Sequence, residues 1–454
     1  MVIIEVNKIR EVEWSSRQIL IKGGLPLLDV SEYPVIDTHC HVFREDVGKT
    51  LTADNFAQDI NFGSFYPDFL ISSSILEEYK TASNEKKNEL DQKYKVTQTL
   101  QELKYHSKHA LFYRQMLHEL SKFLKCADDL DTIIRVRNQK AADFRNFLTE
   151  LFADACLEAL IIDDGFSEIA VDKPLQTIEW TEFEKLVPIQ IVRISRIENL
   201  IKNALLTSTN FDDFLVNYDN EMNTAITKYN SSGFKSIVAY RTGLNVGNPD
   251  ESDARKDFDK YLREKSPEVE RWGLKNLRDF LIWRTLEKCI ELDLPFQFHT
   301  GIGDVDTIVD QCNPVCLFNF LRDKKIRHAK IILAHAGFPY VSEATNLLNL
   351  LPNVYLELSV MFPFTSAGST TNLMRALELA PLTKVMIGSD AFNTPELYWL
   401  GAKVAKKALG RVLSEFIQFG AISEDEAHKY IQKLSMDMRI SRIKACEYVL
   451  QKNK

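Results

Sequence analysis

The chain has 454 residues, 45% hydrophobic and 26% charged, enough to bury a full barrel core with insertions. Its formal charge of −8, with no basic run or basic face, argues against a nucleic-acid partner. No apolar run approaches the roughly 20 residues of a membrane span, and seven scattered cysteines suit a reducing, cytoplasmic compartment.

Residues 1–30 read as an irregular N-terminal segment whose start, Met1-Val2-Ile3-Ile4-Glu5-Val6-Asn7-Lys8, is too charged and too short in apolar length for a signal peptide. A first strand is predicted over 33–40. From 51 to 150 the pattern is helical and rich in Lys, Glu, Leu and Tyr, without a Pro- or Gly-rich linker, which predicts a helical insertion packed over the barrel mouth within one domain spanning 1–454. Apolar runs then recur over 157–163, 187–194, 234–240, 294–299, 330–335, 353–359 and 384–389, with helical stretches between most of them. Eight strands alternating with helices imply a parallel sheet closed as a (β/α)8 TIM barrel, followed by a helical tail over 395–450.

The first strand ends in Asp37-Thr38-His39-Cys40-His41. On extended backbone residues i and i+2 share a face, so His39 and His41 can meet one ion while Cys40 points away and packs as a thiol. The motif gains weight from what recurs downstream. Pro295-Phe296-Gln297-Phe298-His299, Ile331-Ile332-Leu333-Ala334-His335 and Val385-Met386-Ile387-Gly388-Ser389-Asp390 each carry a buried run into a metal-ligand type. In a parallel barrel these ends share the active face. Imidazole and carboxylate ligands suit Zn²⁺, with Mn²⁺ or Fe²⁺ as alternatives. Asp390 is placed to take a proton from an activated water and pass it to a leaving group, and His335 to hydrogen-bond a substrate carbonyl oxygen as charge develops on it. Arg196, beside Glu198, follows strand 3, and Tyr240-Arg241 ends strand 4. Either arginine can hold a substrate carboxylate bidentately or form a structural ion pair with a barrel carboxylate. His106, His109, His118, His328 and His428 fall in helical or surface contexts and read as solvated or structural.

The set His39-x-His41, His299, His335 and Asp390, on strands 1, 5, 6 and 8, resembles the metal-site pattern of the amidohydrolase superfamily. The phrases over 233–244, 297–304 and 388–402 are similar to the amidohydrolase-2 domain, in the branch found at the N-terminus of nodulin/FluG-type glutamine-synthetase fusion proteins. The resemblance covers most of residues 30–435 and implies a metal-dependent hydrolase that cleaves an amide C–N bond other than a peptide bond. A γ-glutamyl or other acidic small molecule is the implied substrate. The alternative it carries is a metal-dependent non-oxidative decarboxylase, a lyase. A degenerate binding or scaffold role is disfavoured by the full ligand set. In binuclear members of the superfamily a strand-4 lysine is carboxylated and bridges two metals. Lys235 is the candidate here, but it sits at the start of the predicted strand-4 run. Without it one ion is expected, through His39, His41, His299 and Asp390, leaving His335 for acid–base work. A homo-oligomer is left open.

Overall fold

The computed structural model describes residues 27–44, 51–53, 56, 60, 71–165, 178–304 and 307–431. The signal-peptide reading of the N-terminus, most of the irregular stretch over 1–30 and the tail beyond 431 lie outside them. Eight parallel strands follow one another in chain order: β1 Val35–Cys40, β2 Leu157–Asp163, β3 Gln190–Arg196, β4 Ser231–Ser236, β5 Pro295–His299, β6 Lys330–Ala334, β7 Val354–Glu357 and β8 Val385–Met386. Hydrogen bonds close β8 back onto β1. Thr38 N donates to Ile387 O at 2.9 Å, Asp390 N to His39 O at 2.8 Å and His41 N to Ala391 O at 2.8 Å. The expected (β/α)8 barrel is therefore the observed fold. Among the described residues no helix is long and apolar enough to cross a membrane.

The strands have two apolar faces, as parallel strands covered by helices must. Phe296, Phe298, Ile331 and Leu333 pack outward into the main core beneath the helices. Ile36, Ile161, Val192, Ile194, Ile332 and Met386 pack against one another as a separate cluster with Tyr355, filling the barrel interior. Stepping two residues along the same inward face turns the chemistry over: Ile161 leads to Asp163, Ile194 to Arg196 and Tyr355 to Glu357. The barrel thus changes from an oily floor to a charged mouth within one pleat.

Two of the strand boundaries that differ from the sequence reading bear on the site. Strand 3 runs to Arg196 rather than stopping at 194, and strand 4 ends at Ser236 rather than 240. The apolar run misleads there because Ile237, Val238 and Ala239 are buried by packing, yet Val238–Tyr240 form a single 3-10 turn. Lys235 consequently lies near the carboxyl end of β4, and Tyr240-Arg241 sit beyond the strand.

Between β1 and β2 the described residues carry six helices, from Ser73–Thr81 to Phe144–Asp154. Local caps start several of them. Asp129 accepts from Thr132 N at 2.9 Å ahead of Leu130–Lys140, and Asp143 from Asn146 N at 3.1 Å ahead of Phe144–Asp154. This layer grips the chain that follows β7 and β8. Phe112 meets Phe364 edge-on at 5.5 Å, and Phe123 meets Trp399 at 5.7 Å. Arg137 Nε pairs with Glu396 Oε1 at 2.8 Å, with both side chains fully buried. Glu396 opens the long helix Pro395–Phe419.

Removing one partner of that pair leaves an uncompensated buried charge. Arg137→Met is expected to cost about 3–5 kcal/mol, whereas the double change Arg137→Met with Glu396→Met should recover most of the loss. Urea unfolding of both variants checks this; equal stability of Arg137→Met and the parent chain would show that the pair contributes nothing.

Candidate metal centre

His39 and His41 arrive at the mouth of β1 with their Nδ1 atoms already used. His39 Nδ1 donates to Gln297 Oε1 at 3.1 Å, and His41 Nδ1 to the main-chain oxygen of Asp163 at 3.1 Å. Each bond fixes the tautomer and leaves Nε2 with a lone pair. Both Nε2 atoms approach one atom, Asp390 Oδ1, at 3.3 and 3.2 Å. That oxygen is buried and accepts no hydrogen bond. Ligands held at about 2.0–2.1 Å around a tetrahedral ion lie roughly 3.3 Å from one another, so the spacing fits a zinc-type ion. Burial and the neighbouring Lys235 push the His39 imidazole down to about 4, keeping it neutral as a ligand must be. Burial alone would raise the Asp390 carboxyl, but the imidazoles of His335, His39 and His41 hold it well below the usual carboxylate range.

Lys235 sits at the middle of this group, almost wholly buried. Its Nζ lies 2.6 Å from His39 Nε2, 3.3 Å from His335 Nε2 and 3.5 Å from Asp163 Oδ2. This places Lys235 near the carboxyl end of β4 rather than at the start of strand 4 as expected. Burial lowers its pKa, and Asp163 works against that shift. Asp163 is in turn clamped by Arg196, whose Nη2 reaches Oδ2 at 2.7 Å and whose Nε lies 3.2 Å from both oxygens. Burial would raise Asp163, but Arg196 and Lys235 keep it far below its ordinary value. Of the two readings of Arg196, the structure places the structural ion pair. Its planar fork faces inward to a barrel carboxylate, which corrects the assignment of Arg196 as a clamp for the substrate.

His335 is out of phase with β6. Alternation would put it on the face opposite Ile332 and Ala334, but its backbone adopts φ 68°, which turns the imidazole to the axis. There it stands in edge contact with His39, ring centroids 5.0 Å apart. Its Nε2 faces Lys235 Nζ at 3.3 Å. Asp390 is also left-handed, at φ 57°. Such backbone costs about 1–3 kcal/mol per residue and persists where surroundings over-determine it.

Two tight groups of ligand atoms arise among the described residues: His39 with His41 and Asp163, and His39 with His335 and Asp390. His299 belongs to neither. It ends β5 as expected, but its Nε2 donates to Ile302 O at 3.2 Å while its ring lies 4.3 Å from those of both His335 and Tyr240. The structure therefore brings His335, rather than His299, up to His39 and Asp390. The Tyr240 hydroxyl closes over Gly303, where any β-carbon would fall 1.7 Å from the phenol oxygen. Arg241 is half-buried and directs Nη1 to the Tyr240 main-chain oxygen at 3.0 Å. Cys40 is fully buried with Sγ near Ile161 O, a packed thiol as expected.

The sequence reading missed Asp163, Gln297, Glu357 and Ser359. A signal existed for the first. Leu160-Ile161-Ile162-Asp163 has the same form as the run into Asp390, an apolar stretch closed by a carboxylate.

Comparison with known proteins agrees with this geometry. Residues 246–433 match the family model described as amidohydrolase. Over these residues the chain resembles the amidohydrolase-2 group. It is 26% identical over 346 residues, 70% of its length, to Protein fluG of Emericella nidulans, and spans 38% of that relative. Among solved structures it is similar to a protein provisionally named a metal-dependent hydrolase from Lactobacillus casei ATCC 334. The two share 25% identity and a TM-score of 0.72 over 94% of this chain and 99% of that one. Uronate isomerase of Thermotoga maritima shares the fold at 15% identity, with a TM-score of 0.63 over 91% and 95% of the two chains.

This candidate metal centre yields a direct test. Changing His39→Ala together with His41→Ala should abolish bound metal while the barrel still folds, because an ion is not what closes a core of this size. Mass-spectrometric metal content alongside circular dichroism reads both outcomes. Stoichiometric metal in the double variant would remove these two histidines from the site.

Proposed function

We propose that this amidohydrolase is a cytoplasmic, mononuclear, zinc-type enzyme that hydrolyses the amide C–N bond of an acidic small molecule such as a γ-glutamyl amide. The observation that carries the reading is the convergence of His39 Nε2 and His41 Nε2 on the orphaned Asp390 Oδ1. His39, His41 and Asp390 would hold the ion, with His299 Nδ1 or His335 completing the set. When bound, the ion supplies Lewis acidity that brings an attacking water toward a pKa of about 7. One ion rather than two is favoured because Lys235 is already engaged as a cation beside Asp163.

Asp390 is the proton carrier in this reading. Its carboxylate is held well below the usual carboxylate range, its Oδ1 accepts no hydrogen bond and it sits at the mouth, so it accepts the proton of the attacking water and returns it to the departing amine. His335 stays neutral, since burial holds it well below its usual range. Arg241 and Tyr240, on the turn after β4, would take the substrate's carboxylate. The similarity to a hydrolase over nearly the whole chain supports hydrolysis as the reaction class.

A screen of γ-glutamyl amides and aromatic carboxylates on the zinc-loaded enzyme tests the reaction. Amine release without gas supports it, and CO₂ release would assign a decarboxylase instead. With a substrate in hand, Asp390→Asn should lower kcat by at least about a hundredfold while retaining some metal; near-normal turnover of the metal-loaded variant would refute the proton-carrier role. Arg241→Lys keeps the charge but loses the fork, so kcat/KM should fall roughly ten- to a hundredfold for acidic substrates, about 1.5–3 kcal/mol, and little for an uncharged analogue. A lowered Tm with unchanged kcat/KM would instead place Arg241 in a structural ion pair.

A further inference from the structure

His335 is held from both sides by groups the proposed reaction does not use. On one side Lys235 Nζ faces its Nε2 at 3.3 Å. On the other its Nδ1 lies 2.8 Å from Ser359 Oγ. Ser359 is itself fully committed to Glu357, with its hydroxyl donating to Oε2 at 2.6 Å and its main-chain N–H to Oε1 at 2.6 Å. The main-chain N–H of His335 also ends on Glu357 Oε2, at 3.1 Å. Glu357 and Ser359 are wholly buried, and His335 nearly so. The segment after β8 leaves room for this carboxylate because residue 388 is glycine, where a β-carbon would meet Glu357 Oε1 at 2.1 Å.

The donors and acceptors in this chain have one consistent direction. A lysine ammonium only donates, so His335 Nε2 accepts. The ring proton therefore sits on Nδ1 and is given to Ser359 Oγ, whose own proton is given to Glu357. We propose that Ser359, oriented by Glu357, is a positioning residue that fixes His335 in the Nδ1–H tautomer and aims its bare Nε2 into the amidohydrolase site. The placement of His335 in that site rests on the functional reading above; the tautomer does not.

Two-bond ¹H–¹⁵N correlation spectra of the full-length chain, labelled on histidine and assigned with a His335→Gln variant, read the tautomer directly. The parent chain should show His335 protonated on Nδ1 alone. Ser359→Ala, which removes only the hydroxyl, should give a mixture of tautomers and lower kcat or metal affinity about 10- to 100-fold, as loss of a ligand-orienting partner does. KM should hold. Glu357→Gln, nearly isosteric, is the second variant and should also release the single tautomer. A parent chain protonated on Nε2, or an unchanged single tautomer in both folded variants, would overturn the proposal. A chain that shows the expected tautomers yet binds no metal would overturn the metal-hydrolase reading and leave this one intact.

Discussion

A charged amine on the axis of a closed barrel must be neutralised by partners within a few ångströms, and that requirement organises the mouth of this one. Lys235 has solvent on almost no side. Its counter-charge is Asp163, two strands away across β3, and Asp163 is kept ionised by Arg196, which covers its two oxygens, together with Lys235 itself. The same residue fixes His41 through its main-chain oxygen. The end of β2 therefore sets the position of one imidazole directly and of two more through Lys235, which lies against both His39 and His335. Asp163 is the carboxylate that Arg196 and Lys235 share, so its replacement would remove the counter-charge of both buried cations at once.

Closing the barrel and building the site are likewise one event. The bond from Asp390 N to His39 O is part of the β1–β8 seam, and it brings the two side chains to 3.3 Å. Below it, Ser389 donates its N–H and hydroxyl to Asp37, whose carboxyl burial pushes up to about 7. Six residues beyond Asp390, Glu396 is anchored by Arg137 from the helices between β1 and β2. A left-handed aspartate held between these two fixed points has little freedom to relax, which is how its backbone strain is sustained.

How much of this was legible in the sequence follows from what each residue type announces. Histidines and a carboxylate closing buried runs on strands 1, 5, 6 and 8 signalled both the barrel and the ligand face, because the pleat places alternate residues inward. Asp163, Glu357 and Ser359 obey the same rule on β2 and β7, but a polar residue ending a strand is common, and only contact with the histidines distinguishes them. Lys235 was obscured because burial of Ile237 to Ala239 extends the apolar run past the true end of β4. His335 looked like a strand-end residue in register, whereas a single positive φ carries it to the axis. No period in a sequence encodes that reversal. Arg196 has a partner 33 positions earlier in the chain, invisible until β2 and β3 are paired.

The geometry also links metal binding to the lysine. His39 Nε2 has one lone pair, and Lys235 Nζ lies 2.6 Å from it. An ion held by His39 and Asp390 needs that same lone pair, so occupancy requires Lys235 to give up this bond. It does not thereby become an unpaired buried charge, because Asp163 at 3.5 Å and His335 Nε2 at 3.3 Å still receive it. The lysine can exchange one acceptor for the loss of another without leaving the cluster. His335 is useful in that exchange only while its Nε2 remains an acceptor, and the hydrogen bonds through Ser359 to Glu357 keep it one. The two ends of the cluster are thus coupled: the orientation of one imidazole, set on β7, keeps a partner for the cation that must yield at β1.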